Sequence, residues 1–139
     1  MKIVLASGSP RRRELLSLIT ENFTVCPADA DETLREGAPL ADEVVRLSRL
    51  KAEAAQREHP DAVCIGSDTM VTIDHLPLGK PKDERDAANM LRRLRGRTHE
   101  VLTGLAVLSP DGKAQTLCTC TEVTFRDFSD EELAEYLAT

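Results

Sequence analysis

The N-terminal residues place a short strand directly before a helix, and this junction constrains the fold more than any other stretch. Lys2–Ala6 (Lys-Ile-Val-Leu-Ala) is a short, mostly apolar stretch that predicts a buried strand. The small residues Ser7-Gly8-Ser9 follow as a loop, and Pro10 suits the first position of a helix because it has no N–H to leave unpaired. Ser9 then fits the N-cap, since its hydroxyl can accept a bond from a free N–H of the first turn.

The start of this helix has two interpretations. Unpaired N–H groups at the positive end of a helix dipole favour an anion, and Arg11 and Arg12 add positive charge in the first turn. A cation is mildly unfavourable there, which suggests that the arginines hold a phosphate. The alternative is an ordinary capped surface helix with solvated arginines.

A second cation lies on the inner stripe of a later helix. The pattern from about Leu40 to Arg57 predicts a helix with Val44 and Leu47 facing inward, and Lys51 falls on the same stripe. Such a lysine either extends to the helix edge or reaches an anion held in a cleft.

Asp68 occupies the middle of the strongest predicted strand, Val63 to Ile73. Aspartate forms strands poorly and is rarely buried without a partner. A carboxylate among apolar neighbours needs a metal ion, a cation or several hydrogen-bond donors. The pattern therefore favours a functional carboxylate at this position.

Two loops carry further charged residues. The acidic stretch from Asp29 to Glu36 is predicted to be a solvated loop. In the stretch Leu78 to Asp83, Gly79 and Pro81 constrain the backbone on either side of Lys80, which would fix where its ammonium group points.

The order of the predicted elements favours an α/β domain with a mixed, twisted sheet, in one domain spanning residues 1–139.

The first helix is predicted over about residues 10 to 20, with Leu15, Leu16 and Ile19 on one face. Residues 74–77 are predicted to form a turn. The helix from about Glu84 to Arg95 is predicted to end at Gly96, with arginines on a solvated face. Ser129 to Glu132 reads as a capping box.

Composition excludes several classes of protein. A net charge of −6 argues against non-specific nucleic-acid binding. The sequence contains no apolar run near 18 residues and no signal-peptide pattern, so we expect no membrane partner and a cytoplasmic location. The cysteines show no C-x-x-C spacing, which argues against zinc and favours free thiols: Cys26, Cys64, Cys118 and Cys120.

Four cations from three separate elements (Arg11, Arg12, Lys51 and Lys80), together with one strand-centred carboxylate, suit a cleft that holds several phosphates and a divalent cation. Phosphoryl chemistry needs cations to neutralise the phosphate oxygens and a carboxylate to hold metal or orient water. The chain has no G-x-x-x-x-G-K-[ST] loop, so it is not a P-loop enzyme.

Several short motifs follow one another in order along the chain: Ser7-Gly8-Ser9-Pro10-Arg11-Arg12-x-Glu14-Leu15-Leu16, Asp31-Glu32-Thr33, Arg46-Leu47-x-x-x-Lys51-Ala52, Gly66-Ser67-Asp68-Thr69-x-Val71, Gly79-Lys80-Pro81 and His99-x-Val101-x-Thr103-Gly104. With these motifs the sequence resembles the Maf (septum-formation-inhibitor-like) family of nucleoside triphosphate pyrophosphatases, and the resemblance covers Ile3 to Tyr136.

This resemblance implies a Maf/inosine-triphosphatase-like fold and the hydrolysis of a nucleoside triphosphate to monophosphate and pyrophosphate with Mg²⁺ or Mn²⁺. Asp68 would be the catalytic carboxylate, and Glu32 would join it at the metal. The implied substrate-binding residues are Ser7, Arg11, Arg12, Lys51, Thr69 and Lys80. One branch of the family resembles dTTP/UTP pyrophosphatases and another acts on 7-methyl-GTP. Pro10-Arg11-Arg12 and Asp68-Thr69 match the first branch.

Family members continue beyond the helix at Glu131 to Tyr136 into a segment containing Ala-Gly-Ala-Tyr-x-x-Gln-Gly, which lines the base pocket. We expect this chain to lack that C-terminal part. The alternative function is therefore a non-catalytic nucleotide-binding regulator that kept the phosphate site and lost turnover. A role as an interaction protein of cell division has no residue in its support, and the sequence does not decide between a monomer and a homodimer.

Overall fold

The computed structural model describes residues 2–28, 30–79 and 81–138. They form four helices, α1 to α4, and six strands, β1 to β6. In chain order these are β1 (Ile3–Leu5), α1 (Pro10–Ser17), β2 (Thr24–Val25), α2 (Leu40–Glu58), β3 (Val63–Ile73), β4 (Leu76–Leu78), α3 (Glu84–Leu94), β5 (Thr98–Leu108), β6 (Ala114–Thr124) and α4 (Asp130–Leu137).

The strands form one sheet in the order β2-β1-β3-β5-β6, with β4 paired to β3. Strand β1 pairs in parallel with β2 and with β3, whereas β4 pairs antiparallel with β3. The predicted α/β class with a mixed sheet is confirmed. No helix in the described ranges has the length and apolar character that crossing a membrane requires.

The chain divides into two compact units. The first comprises Met1–Thr69 and Thr103–Thr119, and the second comprises Met70–Leu102 and Cys120–Thr139. Strands β3, β5 and β6 each contribute residues to both units. The prediction of a single domain stays a prediction.

The first unit is built around small apolar side chains. Its buried cluster joins β1, α2, β3 and β5: Val4, Ala6, Ala52, Ala55, Ala62, Cys64, Ala106 and Leu108. Helix α1 begins as predicted, with Pro10 in its first turn and the Ser9 side chain accepting from the Arg12 N–H. It ends at Ser17, earlier than the predicted end near residue 20. The predicted shared face does not pack, because Leu15 and Ile19 are 57% and 84% exposed.

The second unit places α3 against α4. Arg95 donates hydrogen bonds to the Phe128 carbonyl and to Asp130, so its prediction as part of a solvated face is wrong. Gly96 follows α3 at φ +64°, and Ser129 and Glu132 form the predicted capping box at the start of α4. His99 is buried, and its ring meets the Phe125 ring edge-on at 4.9 Å.

The chain after β3 forms a hairpin that the sequence pattern did not predict. Asp74 and His75 both have positive φ, of 53° and 61°, which is the geometry of a tight hairpin turn. Leu76–Leu78 then returns as β4. The turn was predicted near this position, but Leu76 and Pro77 belong to a strand because the turn is confined to two residues.

Candidate functional site

The first unit brings the ammonium group of Lys51 to two carboxylates. Its Nζ lies 3.0 Å from Asp68 Oδ1 and 3.0 Å from Glu32 Oε1. The side chains of Lys51 and Asp68 are each 14% exposed, whereas that of Glu32 is 59% exposed. Lys51 therefore faces inward and is paired with two carboxylates. It links α2, the centre of β3 and the acidic loop.

Two glycines allow α2 to approach the sheet closely enough for this contact. A Cβ on Gly66 of β3 would lie 2.1 Å from the Ser48 carbonyl oxygen, and a Cβ on Gly104 of β5 would lie 2.5 Å from the Val44 carbonyl oxygen. Ser67 also donates a hydrogen bond to the Gly104 carbonyl at 2.8 Å. The backbone of α2 thus packs directly on β3 and β5, and this sets the distance between Lys51 and Asp68.

The loop before α1 is partly closed by its own hydroxyl groups. Ser7 is buried, and its Oγ accepts the Ser9 N–H at 3.1 Å. The Ser9 Oγ in turn accepts the Arg12 N–H at 3.5 Å. Two N–H groups that an anion could bind are thus engaged within the loop, and a phosphate would have to compete with serine side chains for them.

The two arginines of α1 differ in their surroundings. The Arg12 Nη2 donates to the Thr69 hydroxyl at 3.0 Å, which brings this guanidinium to the residue after Asp68. Arg11 is exposed, and none of the side-chain hydrogen bonds or ion pairs found within residues 2–28, 30–79 and 81–138 involves its guanidinium. Lys80, the remaining predicted cation, lies outside the described residues.

A buried carboxylate that the sequence pattern did not predict lies one turn before Leu47. Glu43 is fully buried and accepts hydrogen bonds from the side chains of Arg46 and Arg35, and from the Arg35 backbone N–H. Hydrogen bonds from the Arg46 side chain, and from the N–H and side chain of Arg35, lower the pKa of Glu43 to about 2. Burial alone would raise this pKa. Helical spacing could have found it, because Glu43, Leu47 and Lys51 follow one another at four-residue steps.

The Glu43 network positions the loop that carries Glu32. Arg46 donates to the Thr33 carbonyl at 2.9 Å, and the Thr33 N–H is held at 3.0 Å by the Asp31 carboxylate. With Arg35 fixed at one end and Thr33 at the other, the backbone beside Glu32 is anchored to the first turns of α2. Glu32 is the only one of the acidic-loop residues predicted as a ligand.

An apolar cleft in the second unit lies elsewhere. Its volume is about 360 Å³, and it is lined by Leu91, Phe125, Arg126, Phe128, Glu132, Leu133 and Tyr136. None of the predicted site residues that the structure describes lines it. The charged cluster around Lys51 is therefore the better candidate for phosphate chemistry.

Relatives of known name resemble this chain along nearly its whole length. A protein of Akkermansia muciniphila named "dTTP/UTP pyrophosphatase" is 44% identical, over 97% of this chain and 71% of the relative. A Bacillus cytotoxicus protein of the same name is 45% identical, over 99% of this chain and 72% of the relative.

Solved structures support the fold. The Ham1 protein of Staphylococcus aureus has a TM-score of 0.60 at 16% identity, covering 88% of this chain and 70% of that one. A structure titled nucleoside-triphosphatase / dITP/XTP pyrophosphatase, from Mycobacterium abscessus, has a TM-score of 0.58 at 17% identity, covering 89% and 74%. At these identities the likeness concerns the fold alone. The family described as Maf-like protein matches residues 2–139, and the chain therefore belongs to the Maf family.

Proposed function

We propose that this chain hydrolyses nucleoside triphosphates, with dTTP and UTP as preferred substrates, to the monophosphate and pyrophosphate in a reaction that uses a divalent metal ion. The observation that carries the proposal is the contact of Lys51 with Asp68 and Glu32, 3.0 Å each, beside an arginine that reaches Thr69. The choice of dTTP and UTP rests on relatives at 44–45% identity that bear these substrates in their names.

The residues present suit Mg²⁺ or Mn²⁺. Asp68 and Glu32 each place a carboxylate oxygen 3.0 Å from the same nitrogen atom, so their oxygens converge on one region. Magnesium is usually bound through one or two carboxylates together with substrate phosphates, which matches this donor set. A divalent ion held there would polarise a phosphoryl oxygen and make a bound water more acidic.

Lys51 and Arg12 are assigned to the triphosphate. The ammonium is a compact donor with three N–H bonds, and the planar guanidinium suits two phosphate oxygens at once. Both would neutralise charge that grows on the phosphate oxygens during bond cleavage. Ser7 would orient a phosphate from the loop before α1. Arg11, Thr69 and Lys80 complete the proposed substrate contacts.

Asp68 is assigned the proton transfer. Its side chain is mostly enclosed, at 14% exposure, so its carboxylate faces little competition from bulk water. In the proposed reaction Asp68 orients the attacking water and accepts its proton. The water oxygen bonds to the α-phosphorus, and the bond to the bridging oxygen breaks. Pyrophosphate then leaves against the cations.

Replacement of the carboxylate tests this assignment. Asp68→Asn keeps the side-chain shape but removes the charge, and turnover of dTTP with Mg²⁺ is expected to fall by about 10²–10⁴-fold. Pyrophosphate release measures it, and thermal melts check that the variant is folded. Asp111→Asn, in the exposed turn before β6, is the matched control and should behave like the parent.

Parent-level turnover by Asp68→Asn would contradict the assigned role. A panel of the common nucleoside triphosphates, measured on the parent, tests the substrate proposal separately. Equal rates on all of them would overturn the preference for dTTP and UTP. The cytoplasmic location and the absence of a nucleic-acid or membrane partner stay predictions, and a homodimer stays one of two open alternatives.

A further inference from the structure

A second cluster of potential metal ligands lies at the end of α2. Cys26 directly follows β2, Glu58 is the last residue of α2, and His59 is its C-cap. Their ligand atoms all lie within 4.8 Å of one another. The cluster shares no residue with the site at Asp68 and Glu32. Within the described ranges it is the one group of three or more metal-binding side chains that comes this close.

Backbone hydrogen bonds hold the ligand-bearing residues in place. The Cys26 N–H donates to the Leu5 carbonyl at 2.9 Å, which ties it to β1. The His59 N–H donates to the Ala55 carbonyl at 2.9 Å, and the His59 carbonyl accepts the Ala62 N–H at 3.1 Å. Because both backbones are fixed, little chain ordering remains to oppose metal binding.

The side chains are already partly engaged with one another. The Cys26 thiol donates to Glu58 Oε2 at 3.2 Å. Cys26 and His59 are half-buried, whereas Glu58 is exposed, so the cluster opens to solvent on one side. An ion could therefore enter without unfolding of the first unit.

We propose that Cys26, Glu58 and His59 bind a divalent transition-metal ion of the zinc class, with water in the fourth position. Sulfur, nitrogen and oxygen donors together suit zinc rather than magnesium, which prefers oxygen alone. Zinc–ligand bonds of about 2.0–2.3 Å place tetrahedral ligands roughly 3.3–3.8 Å apart. The ligand atoms lie within 4.8 Å of one another, so each pair has to approach by at most about 1–1.5 Å to reach that geometry.

Binding replaces one proton by the metal. The Cys26 S–H bond breaks as the sulfur–zinc bond forms, and the proton passes to the buffer. Glu58 and His59 each supply a lone pair, and nothing is oxidised or reduced. The missing C-x-x-C pair argued against zinc in the sequence, but the fold joins one cysteine to two ligands more than 30 residues away along the chain.

The consequence expected for the protein is a link between the end of β2 and the end of α2. The ion would cross-link Cys26 and Glu58, which come together only in the folded state. A ligand that binds the native state stabilises it according to its free concentration relative to Kd. Zinc should thus raise the Tm of the parent protein.

Cobalt and zinc titrations of the metal-stripped full chain test the proposal, with excess Mg²⁺ present to occupy the carboxylate site. We expect one equivalent of Co²⁺ to produce a thiolate-to-cobalt charge-transfer band, and Zn²⁺ to abolish it. Cys26→Ser should lose the band. Cys26→Ser and His59→Gln should each weaken zinc binding by more than about 100-fold, because removing even a residue that only hydrogen-bonds to a metal ligand typically lowers metal affinity by about 10–100-fold. Cys118→Ser is the matched control and should retain both.

Three results would overturn the proposal: no band in the parent, the same band in Cys26→Ser, or loss of the band in Cys118→Ser. If Cys26→Ser fails to fold, His59→Gln decides, because unchanged zinc affinity and an unchanged zinc-dependent rise in Tm would also overturn it. None of these measurements involves nucleotide, so the outcome is independent of the proposed pyrophosphatase activity.

Discussion

Lys51 faces inward from its helix and is also paired with carboxylates, a combination that the sequence pattern alone did not predict. It lies on the inner stripe of α2, yet its charge is matched by Asp68 and Glu32, whose carboxylate oxygens each lie 3.0 Å from its Nζ. An enclosed ammonium with two carboxylates is a satisfied arrangement, whereas two neighbouring carboxylates without it would repel each other. Lys51 therefore occupies the region where we place a divalent ion.

Replacing Lys51 should shift the balance between metal and nucleotide. In Lys51→Met no ammonium group competes with Mn²⁺ for the two carboxylates. We therefore expect Mn²⁺ to bind the nucleotide-free protein about 10-fold more tightly, which corresponds to roughly 1.4 kcal/mol of binding free energy. Binding of dTTP should weaken at the same time, because a phosphate donor is lost. Calorimetric titration with Mn²⁺, and separately with dTTP, measures both effects.

Arg49→Met is the matched control, since Arg49 lies on the exposed side of the same helix and, among the described residues, its side chain pairs with Glu53 alone. Exposed pairs of this kind are worth about 0–1 kcal/mol, so both affinities should be unchanged. Mn²⁺ binding that weakens in Lys51→Met would show that the lysine supports the carboxylates in another way.

At the scale of elements, the packing of α2 on β3 governs the geometry of the site. The helix presents backbone atoms to Gly66 and Gly104 rather than long side chains. Such a close approach is possible only where the strand has no Cβ. The side chains of Lys51 and Asp68, one on each element, can then meet directly.

A single methyl group at this contact should separate the two elements. In Gly66→Ala the added Cβ would meet the Ser48 carbonyl at 2.1 Å and the Ala52 nitrogen at 2.7 Å, both of them backbone atoms. Overpacking typically costs about 1–3 kcal/mol, and backbone contacts this short place the cost at or above that range. We expect a lower free energy of unfolding in urea and a loss of dTTP turnover in the fraction that remains folded.

Gly79→Ala provides the comparison for stability, because its Cβ would meet nothing within 4 Å. It should unfold at the same urea concentration as the parent. A Gly66→Ala variant with parental stability and turnover would mean that α2 can move away from β3 without effect on the site.

At the scale of the whole molecule, carboxylates with lowered pKa values make the fold sensitive to acid. Arg46 and Arg35 lower the pKa of Glu43 from 4.5 to about 2. The pKa values of Asp31, Asp74 and Asp130 are also lowered, chiefly by hydrogen bonds from Thr33, Arg97 and Arg95 respectively. Each of these groups binds a proton more readily in the unfolded chain, so each stabilises the fold only while it is ionised.

The contribution of Glu43 should be complete above pH 4.5 and should be lost as the pH falls towards about 2. Glu43→Gln removes it, so we expect this variant to be less stable than the parent at neutral pH and to differ less from it in acid. Urea unfolding from neutral pH to about pH 3 measures the difference. Turnover should fall as well, because Arg35 and Arg46 no longer anchor the loop that carries Glu32.

Glu122→Gln, at an exposed position of β6, is the control and should follow the parent at every pH. A constant stability difference between Glu43→Gln and the parent across the whole range would show that packing, rather than the charge of Glu43, is what matters.

Local features of this protein could be predicted from its sequence. The Ser9 cap with Pro10, the Gly96 helix end and the Ser129–Glu132 capping box all occur where residue type indicated them. Each depends on groups within about one helical turn, so neighbouring residues supply all the necessary interactions. Apolar periodicity likewise marked the inward position of Lys51 and the unusual position of Asp68.

Tertiary structure alone decided which groups meet. The sequence identified Lys51 and Asp68 separately, but their contact requires α2 to touch β3 at Gly66. Burial of Glu43 between two arginines, and the meeting of Cys26 with Glu58, likewise depend on contacts between residues distant in the chain or on the path of a loop. The type of a residue shows that a buried charge requires an oppositely charged or hydrogen-bonding partner. The distance between helix and sheet determines which residue that partner is.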